Sequence, residues 1–591
     1  MSREVTPPSK GLQAARSRRA NRQQAPAEPK THRWPVLLVL PLLIAVGIGV
    51  QRHQDDQPAG VEAISAPGLL PTAAAPGALS STWYCAGGTA TGTAAGAAEE
   101  TVQVANESDA ALTGRLTVMA GAGDAVVKDL RLPAHSRVDV VVSSVLKAPY
   151  AGVVVEVDGG EVAVSHLLEG PTGRSVAACS SSPSASWFMP SGTTRPGTAQ
   201  LLALFNPFPS EAVVDVTFEA DDGARSPQDF QAIVVPGQRV TMLDISAKVT
   251  LRAELATTVT VRSGRVIVDQ IQTADGTQQT TKSLTVTPAA PHAMPTWWFA
   301  DGPSGEGTKT VFVVQNPTGD NANVELQIRL DDVATYGEAE PFEVTVAAGR
   351  YVVIDVLGDG RVPPGAGYAA VAQSRNGVPI VAARVTSYAA PAVTVGSTVT
   401  LGSPVLASRW LVPAASVTSA ATSTVILTNP SSTEPVTVTL STVADGRATS
   451  LPAMTDIVVP AGGRAGLDVA SGAGDPQVSV DVVSGSVVVV ETRFEFDKSG
   501  VAAALAVPVQ GTIEVASTGL TVSSPTTDVT AGSTTGLPTD TSAPGDATLP
   551  TGAPPVPSSS TTASPSSSGT GSTSTSTPGS VSTSSTVKTG G

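Results

Sequence analysis

In "NVELQIRL", Val324, Leu326, Ile328 and Leu330 alternate with Asn323, Glu325, Gln327 and Arg329. In "PVTVTL", Val436, Val438 and Leu440 alternate with threonines. A period of two predicts a strand with one buried and one solvated face. The runs that precede such stretches, "LLALF" from Leu201, "VFVV" from Val311 and "VILT" from Val425, are short and apolar, which predicts strands covered on both faces. Between run and alternation stands Asn-Pro, at Asn206, Asn316 and Asn429, in steps of 110 and 113 residues. Proline cannot donate to a ladder, so each Asn-Pro ends one strand and opens a turn.

Other landmarks keep the same period. Trp187, Trp298 and Trp410 precede the three phrases. A turn with an arginine follows each, at Arg239, Arg350 and Arg464, and an aspartate follows each arginine, at Asp244, Asp355 and Asp468. A degraded first copy has Trp83, Asn106 without the proline, and the turn "RLPAHSRVDVVV". Later Val-rich runs are split by turn signals, giving roughly seven strands per period. The predicted fold is all-β: four tandem immunoglobulin-like β-sandwich domains of about 110 residues each. Their expected extents are 81–185, 186–296, 297–408 and 409–515.

The flanks read differently. "WPVLLVLPLLIAVGIGV", residues 34–50, is uncharged and close to the roughly 20 residues of a membrane-spanning helix. Residues 1–33 carry a balance of +6 within a total of −15, so the rest carries −21. Basic residues before the span place that arm in the cytoplasm and the bulk outside. The run "RSRRANR" is therefore topogenic, and so acidic an ectodomain repels phosphate backbones, so no nucleic-acid partner is expected. No small-x-small site closes the apolar run, which favours a retained single-pass anchor over a cleaved signal. Residues 51–80, rich in Pro, Ala and Gly, read as a spacer, and residues 516–591, rich in Ser, Thr and Pro, as a disordered tail. The two cysteines, Cys85 and Cys179, are 94 residues apart in an oxidising compartment and predict a disulfide within the first domain.

The anchor, "STWYCAGG" at the start of the first domain, the Asn-Pro phrases and the Ser/Thr tail together resemble an uncharacterised actinobacterial family of single-pass extracytoplasmic envelope proteins. The strand–Asn-Pro–strand pattern is similar to that of bacterial surface β-sandwich proteins. The resemblance implies a location near envelope glycosyltransferases, hence a role in envelope polymer assembly, and it implies no activity.

Signs of catalytic chemistry are sparse. The five histidines, His32, His53, His135, His166 and His292, show no metal-ligand spacing, and no nucleophile elbow, P-loop or dinucleotide fingerprint occurs. The acidic turns at Asp221, Asp222 and Asp359 depart from a calcium loop and read as ordinary turns. Each Arg-Asp pair reads as a turn or cap device. Expected catalytic residues, metal and cofactor are therefore none, and the chain is not expected to be an enzyme. Trp297 has no counterpart in the other copies and is the candidate carbohydrate contact. The expected function is a non-enzymatic scaffold or stalk of the bacterial envelope. Its expected partners are the membrane, through the anchor, and an envelope protein or cell-wall polysaccharide. The alternative is a carbohydrate-binding module acting on wall or capsule polysaccharide.

Overall fold

The structure, a computed structural model, describes residues 68–516 apart from 89–97, 279, 332, 414–421, 445, 451, 470–476 and 497–499. The expected arm, span and tail lie outside the described residues. Among the described residues, no helix is long and apolar enough to cross a membrane.

Strands dominate, and they repeat in a fixed order. In the second copy, the first strand is Ser186–Met189 and the second Thr198–Asn206. The third is Ala212–Ala220, the fourth Ile233–Val235 and the fifth Arg239–Asp244. The sixth, seventh and eighth are Leu255–Ser263, Ile267–Ala274 and Ser283–Pro288. Each copy makes two antiparallel sheets: first, sixth, third and fourth strands in one, and fifth, second, seventh and eighth in the other. The second-to-fifth and third-to-sixth pairings match the inner pairs of an immunoglobulin-like sandwich. The edges differ, because the first strand lies beside the sixth and the seventh crosses over to lie beside the second. Eight strands per copy thus replace the expected seven. The short eighth strand lies beyond the Val-rich runs, which hold only the sixth and seventh, and the second and fourth copies add a further short strand each, Gly223–Arg225 and Arg447–Ser450.

The asparagines are the fixed points of the repeat. Asn316 Nδ2 donates to the carbonyl oxygens of Asp320 and Val346, while its Oδ1 accepts from the backbone N–H of Thr318. Asn106, Asn206 and Asn429 make the same clasp. All four are buried. The side chain closes its own turn and ties it to the strand entering from the opposite sheet. Replacing Asn316 by alanine leaves buried carbonyls and an N–H without partners, which costs about 1–3 kcal/mol. Urea unfolding of the full chain, followed by near-ultraviolet circular dichroism, measures that loss.

The alternation anticipated over Ala322–Leu330 holds, with Val324, Leu326, Ile328 and Leu330 all facing the core. Each copy also centres on one tryptophan of its first strand, Trp83, Trp187, Trp297 and Trp410, all at or below 1% exposure. Trp187, Trp297 and Trp410 donate their indole N–H to the backbone oxygens of Val266, Ile380 and Val488 respectively, three equivalent positions.

The four sandwiches form a closed ring. The eighth strands, Gly173–Ala178, Ser283–Pro288, Gly396–Leu401 and Gly500–Leu505, pack one on the next, and the last packs on the first. They surround a small apolar cavity of about 60 Å³, to which all four contribute together with Leu69 and Leu70. Three of these strands begin with glycine, and close approach at this axis accounts for two of them. A Cβ at Gly173 or Gly396 would come to 3.0 Å from the backbone nitrogen of Leu284 or Val501. Around the rim, the outer face of one copy's first sheet covers the outer face of the next copy's second sheet. Met119 and Val154 of the first copy, for example, pack with Ala203 and Phe205 of the second.

Two expected boundaries move. Residues 68–80 were read as spacer, yet Leu69 and Leu70 sit in the core of the fourth copy, and Ala73 pairs with Val509. An apolar pair in a Pro/Ala/Gly stretch can dock once a core is open to it. Residues 405–407 were assigned to the third domain, but Val405–Ala407 pairs with Ile513–Val515 and belongs to the fourth.

Candidate functional site: the joints between sandwiches

Charge enters the interior at the joints. In the seventh strand, His166 stands opposite Val102, four residues before Asn106, and Arg384 stands opposite Phe312, four before Asn316. Asp269 and Glu491 stand opposite Ala203 and Ile426, three before Asn206 and Asn429. One residue of offset along a strand reverses the face. His166 and Arg384 therefore point into their own sandwiches, and Asp269 and Glu491 point out of theirs, toward the preceding copy.

At the first joint, the Asp269 carboxylate accepts from the Ala86 backbone N–H at 3.0 Å and lies 3.9 Å from His166 Nε2. Glu100 meets His166 Nδ1 at 2.9 Å. Burial depresses the basicity of His166, but the hydrogen bond and charge of Glu100, with the charge of Asp269, more than offset it, so its pKa is raised. Burial raises both carboxyls above the usual range. The Cys85–Cys179 disulfide is formed as expected, and it lies beside this cluster.

The third joint repeats the plan with a guanidinium. Glu491 accepts from the Ala300 backbone N–H at 2.7 Å and from Arg384 at 2.7 Å, while Arg384 also donates to the Asp301 backbone oxygen. Asp301 accepts from Arg464 and Arg493, and Arg464 also pairs with Asp331. Burial alone would raise the Asp301 pKa, but the charges of Arg493, Arg384 and Arg464 hold it below the usual range. Arg464 is the repeated turn arginine, and its equivalent Arg350 reaches the Ala220 backbone oxygen of the preceding copy. The paired aspartates Asp244 and Asp355 close local turns by accepting from the N–H groups of Ala247 and Gly358.

The other two joints carry buried acids, Glu219 and Glu107, that form no ion pair among the described residues. Glu219 accepts from Gln315 of the third copy at 2.9 Å, and burial pushes its pKa to about 7. Glu107, near Arg409, Asp481 and Glu161 at the fourth-to-first joint, is pushed by burial to about 8. In the folded ring these carboxyls keep protons that the unfolded chain releases near pH 4.5. Their contribution to stability is therefore full below that pH and is lost as pH rises through 7–8. Asp301 acts oppositely, and its contribution is lost in acid. Unfolding midpoints measured from pH 5 to pH 9 should fall, and Glu107→Gln should flatten the fall by at least about 1 kcal/mol.

A groove at one joint is open to solvent. At the joint of the second and third copies, a cleft of about 520 Å³ mixes polar side chains, among them Thr193, Gln272, Arg195 and Lys309, with apolar ones such as Val311 and Val385. Half-buried Glu254 lies in its wall, accepts from Ser191 and the Gly192 N–H, and is pushed by burial to about 7.

Trp297 does not reach any such surface. It is the core tryptophan of the third sandwich, so it cannot stack on a sugar in the folded chain. The residue without a counterpart is Trp298, which packs in the third joint against Ile426 and Val489 with Arg329 over its ring at 4.8 Å. The misassignment came from aligning the period on Trp298 when the inward register belongs to Trp297. The joint charges carried a signal that was not used: each interrupts an apolar run, as in "VIVDQI", "VAARV" and "VVVVETRF". A charge there must be paired.

Residues 168–397 match the model of a family of unknown function, DUF5719. The match covers less than half of the chain, from the seventh strand of the first sandwich to the start of the eighth strand of the third. No curated protein matches the chain.

Proposed function

We propose that this chain is a membrane-anchored, extracytoplasmic, non-enzymatic scaffold of the bacterial envelope, with the ring as its working part. The ring closure carries this reading. Four sandwiches that seal one another face to face, with buried charge pairs at two of the joints, present a fixed outer surface, which suits holding partners in place. An extended stalk would leave the joint faces and the ends of the array free, so the stalk variant is dropped. The uncharged run at 34–50, the basic arm before it and the acidic remainder support the single-pass placement, and the disulfide suits an oxidising compartment. The resemblance to actinobacterial envelope proteins supports the same compartment.

The test is photo-crosslinking of the full chain in its host membrane from Leu251 and Val458, which are 71% and 61% exposed. A discrete protein adduct is the expected result. The open cleft between the second and third sandwiches favours a second reading, binding of a hydroxyl-rich wall polysaccharide. Absence of any protein adduct, together with cell-wall co-sedimentation that free wall sugar competes away, would replace the first reading by the second.

A further inference from the structure

The cluster at the first joint holds more ligand-type atoms than the disulfide and one ion pair use. Both sulfurs and a ring nitrogen of His166 lie within 4.8 Å of one another. Cys85, Cys179, His166 and Glu100 are fully buried, and Asp269 is 1% exposed. Three polar atoms have no hydrogen-bond partner there: His166 Nε2, Asp269 Oδ1 and Glu100 Oε2. Buried polar atoms are nearly always satisfied, so three orphans in one cluster call for an explanation. The histidine is also oriented as metal ligands are. Glu100 holds Nδ1 and so aims Nε2 away from itself, as carboxylates do behind metal-bound imidazoles.

We propose that the reduced chain binds one zinc ion through Cys85 Sγ, Cys179 Sγ and His166 Nε2, with an Asp269 oxygen as fourth donor. A dithiol supplies the two electrons that break the S–S bond and is itself oxidised to a disulfide, leaving two protein thiols. Zinc then displaces one proton from each thiol and, where His166 is protonated, the proton on Nε2, all released to solvent. Two thiolates, an imidazole and a carboxylate suit zinc's tetrahedral, borderline-soft preference, and closed burial is the habit of structural zinc sites. Tetrahedral zinc spaces its donors by about 3.3–3.8 Å, so the sulfurs would part and the Asp269 carboxylate, 3.9 Å from His166 Nε2, would swing toward them. The ion would join the first strand and the residue after the eighth, as the disulfide does, and would add the seventh strand through His166. It would add the second copy through Asp269. The first sandwich thus has two alternative clasps, one for each redox state.

The full chain, purified in detergent and reduced with a dithiol in mild urea, is desalted without oxygen and titrated with zinc against a chromophoric chelator. The expected result is one zinc per reduced chain and none per oxidised chain. Glu100→Gln should weaken binding by about 10–100-fold, and Cys85→Ser should abolish it. Cobalt in place of zinc should give thiolate-to-metal charge-transfer absorption that His166→Asn alters. Failure of the reduced chain to take up zinc, equal binding by the His166→Asn variant, or a cobalt spectrum without thiolate bands would overturn the site. Protection of residues 162–170 from hydrogen exchange in Glu100→Gln separates a lost ligand set from a lost fold.

Discussion

Replacing Arg384 by alanine is expected to destabilise the joint between the third and fourth sandwiches by about 3–5 kcal/mol, the scale for breaking a buried ion pair from one side. Arg384 and Glu491 each have side chains 1% exposed. Without the guanidinium, Glu491 keeps one backbone donor, Ala300, and loses its only cation within hydrogen-bonding distance. Asp301 keeps Arg464 and Arg493, so the damage centres on Glu491. The double variant Arg384→Met/Glu491→Gln should recover most of the loss, because it removes both charges and preserves the acceptor for the Ala300 N–H. Urea midpoints of the single and double variants form the check. A single variant within 1 kcal/mol of the parent would mean that water reaches the joint.

The equivalent histidine position makes a milder case. His166 can lose its proton, so the first joint has a neutral state that the third lacks. The first joint pairs His166 with Asp269 and the third pairs Arg384 with Glu491, while Gln270 and Thr492 fill the His/Arg position in the second and fourth copies. The ring therefore alternates in pairs, as a duplicated two-sandwich unit would. Neutralising Arg384 together with Glu491 should cost little stability. It should nevertheless remove the feature that distinguishes this joint from its neighbours.

The sequence made the strands legible because a half-buried strand writes its own period. Ala322–Leu330 and Val436–Ala444 could be read directly, and so could the Asn-Pro turns, since asparagine and proline each have a local physical reason to be there. Ring closure was not legible. It depends on outward faces such as Ala203, Phe205 and Ile267, whose apolar character merely makes a strand look buried on both sides. That double burial was noticed in "LLALF", but what covers the second face is set by a residue more than 80 positions away, such as Met119 against Phe205. Trp297 failed for a related reason. Two adjacent tryptophans in one strand face opposite ways, and only the register, Trp297 opposite Ala372 and Trp298 opposite Val371, decides which is the core residue.

Removing the disulfide is the second large effect. The Cys85→Ala/Cys179→Ala double variant, studied with chelator present, should lose about 4–5 kcal/mol, as expected for a cross-link closing a loop of this length. The loss should be local before it is global. Cys85 lies in Ser81–Gly88 of one sheet, while Cys179 follows Gly173–Ala178 of the other, so the bridge staples the two layers of the first sandwich. Those same strands meet the second copy through Ala86 and the fourth through the axis. A first sandwich that opens therefore exposes both of its joints, and a ring held by four joints becomes an open array held by two. Hydrogen exchange should show protection falling first in residues 81–88 and 173–178, then at Asp269 and Gln477 across the joints, with the third joint unchanged. Uniform loss of protection around the ring would instead mean that the four sandwiches unfold as one cooperative body, so that the bridge stabilises the ring as a whole.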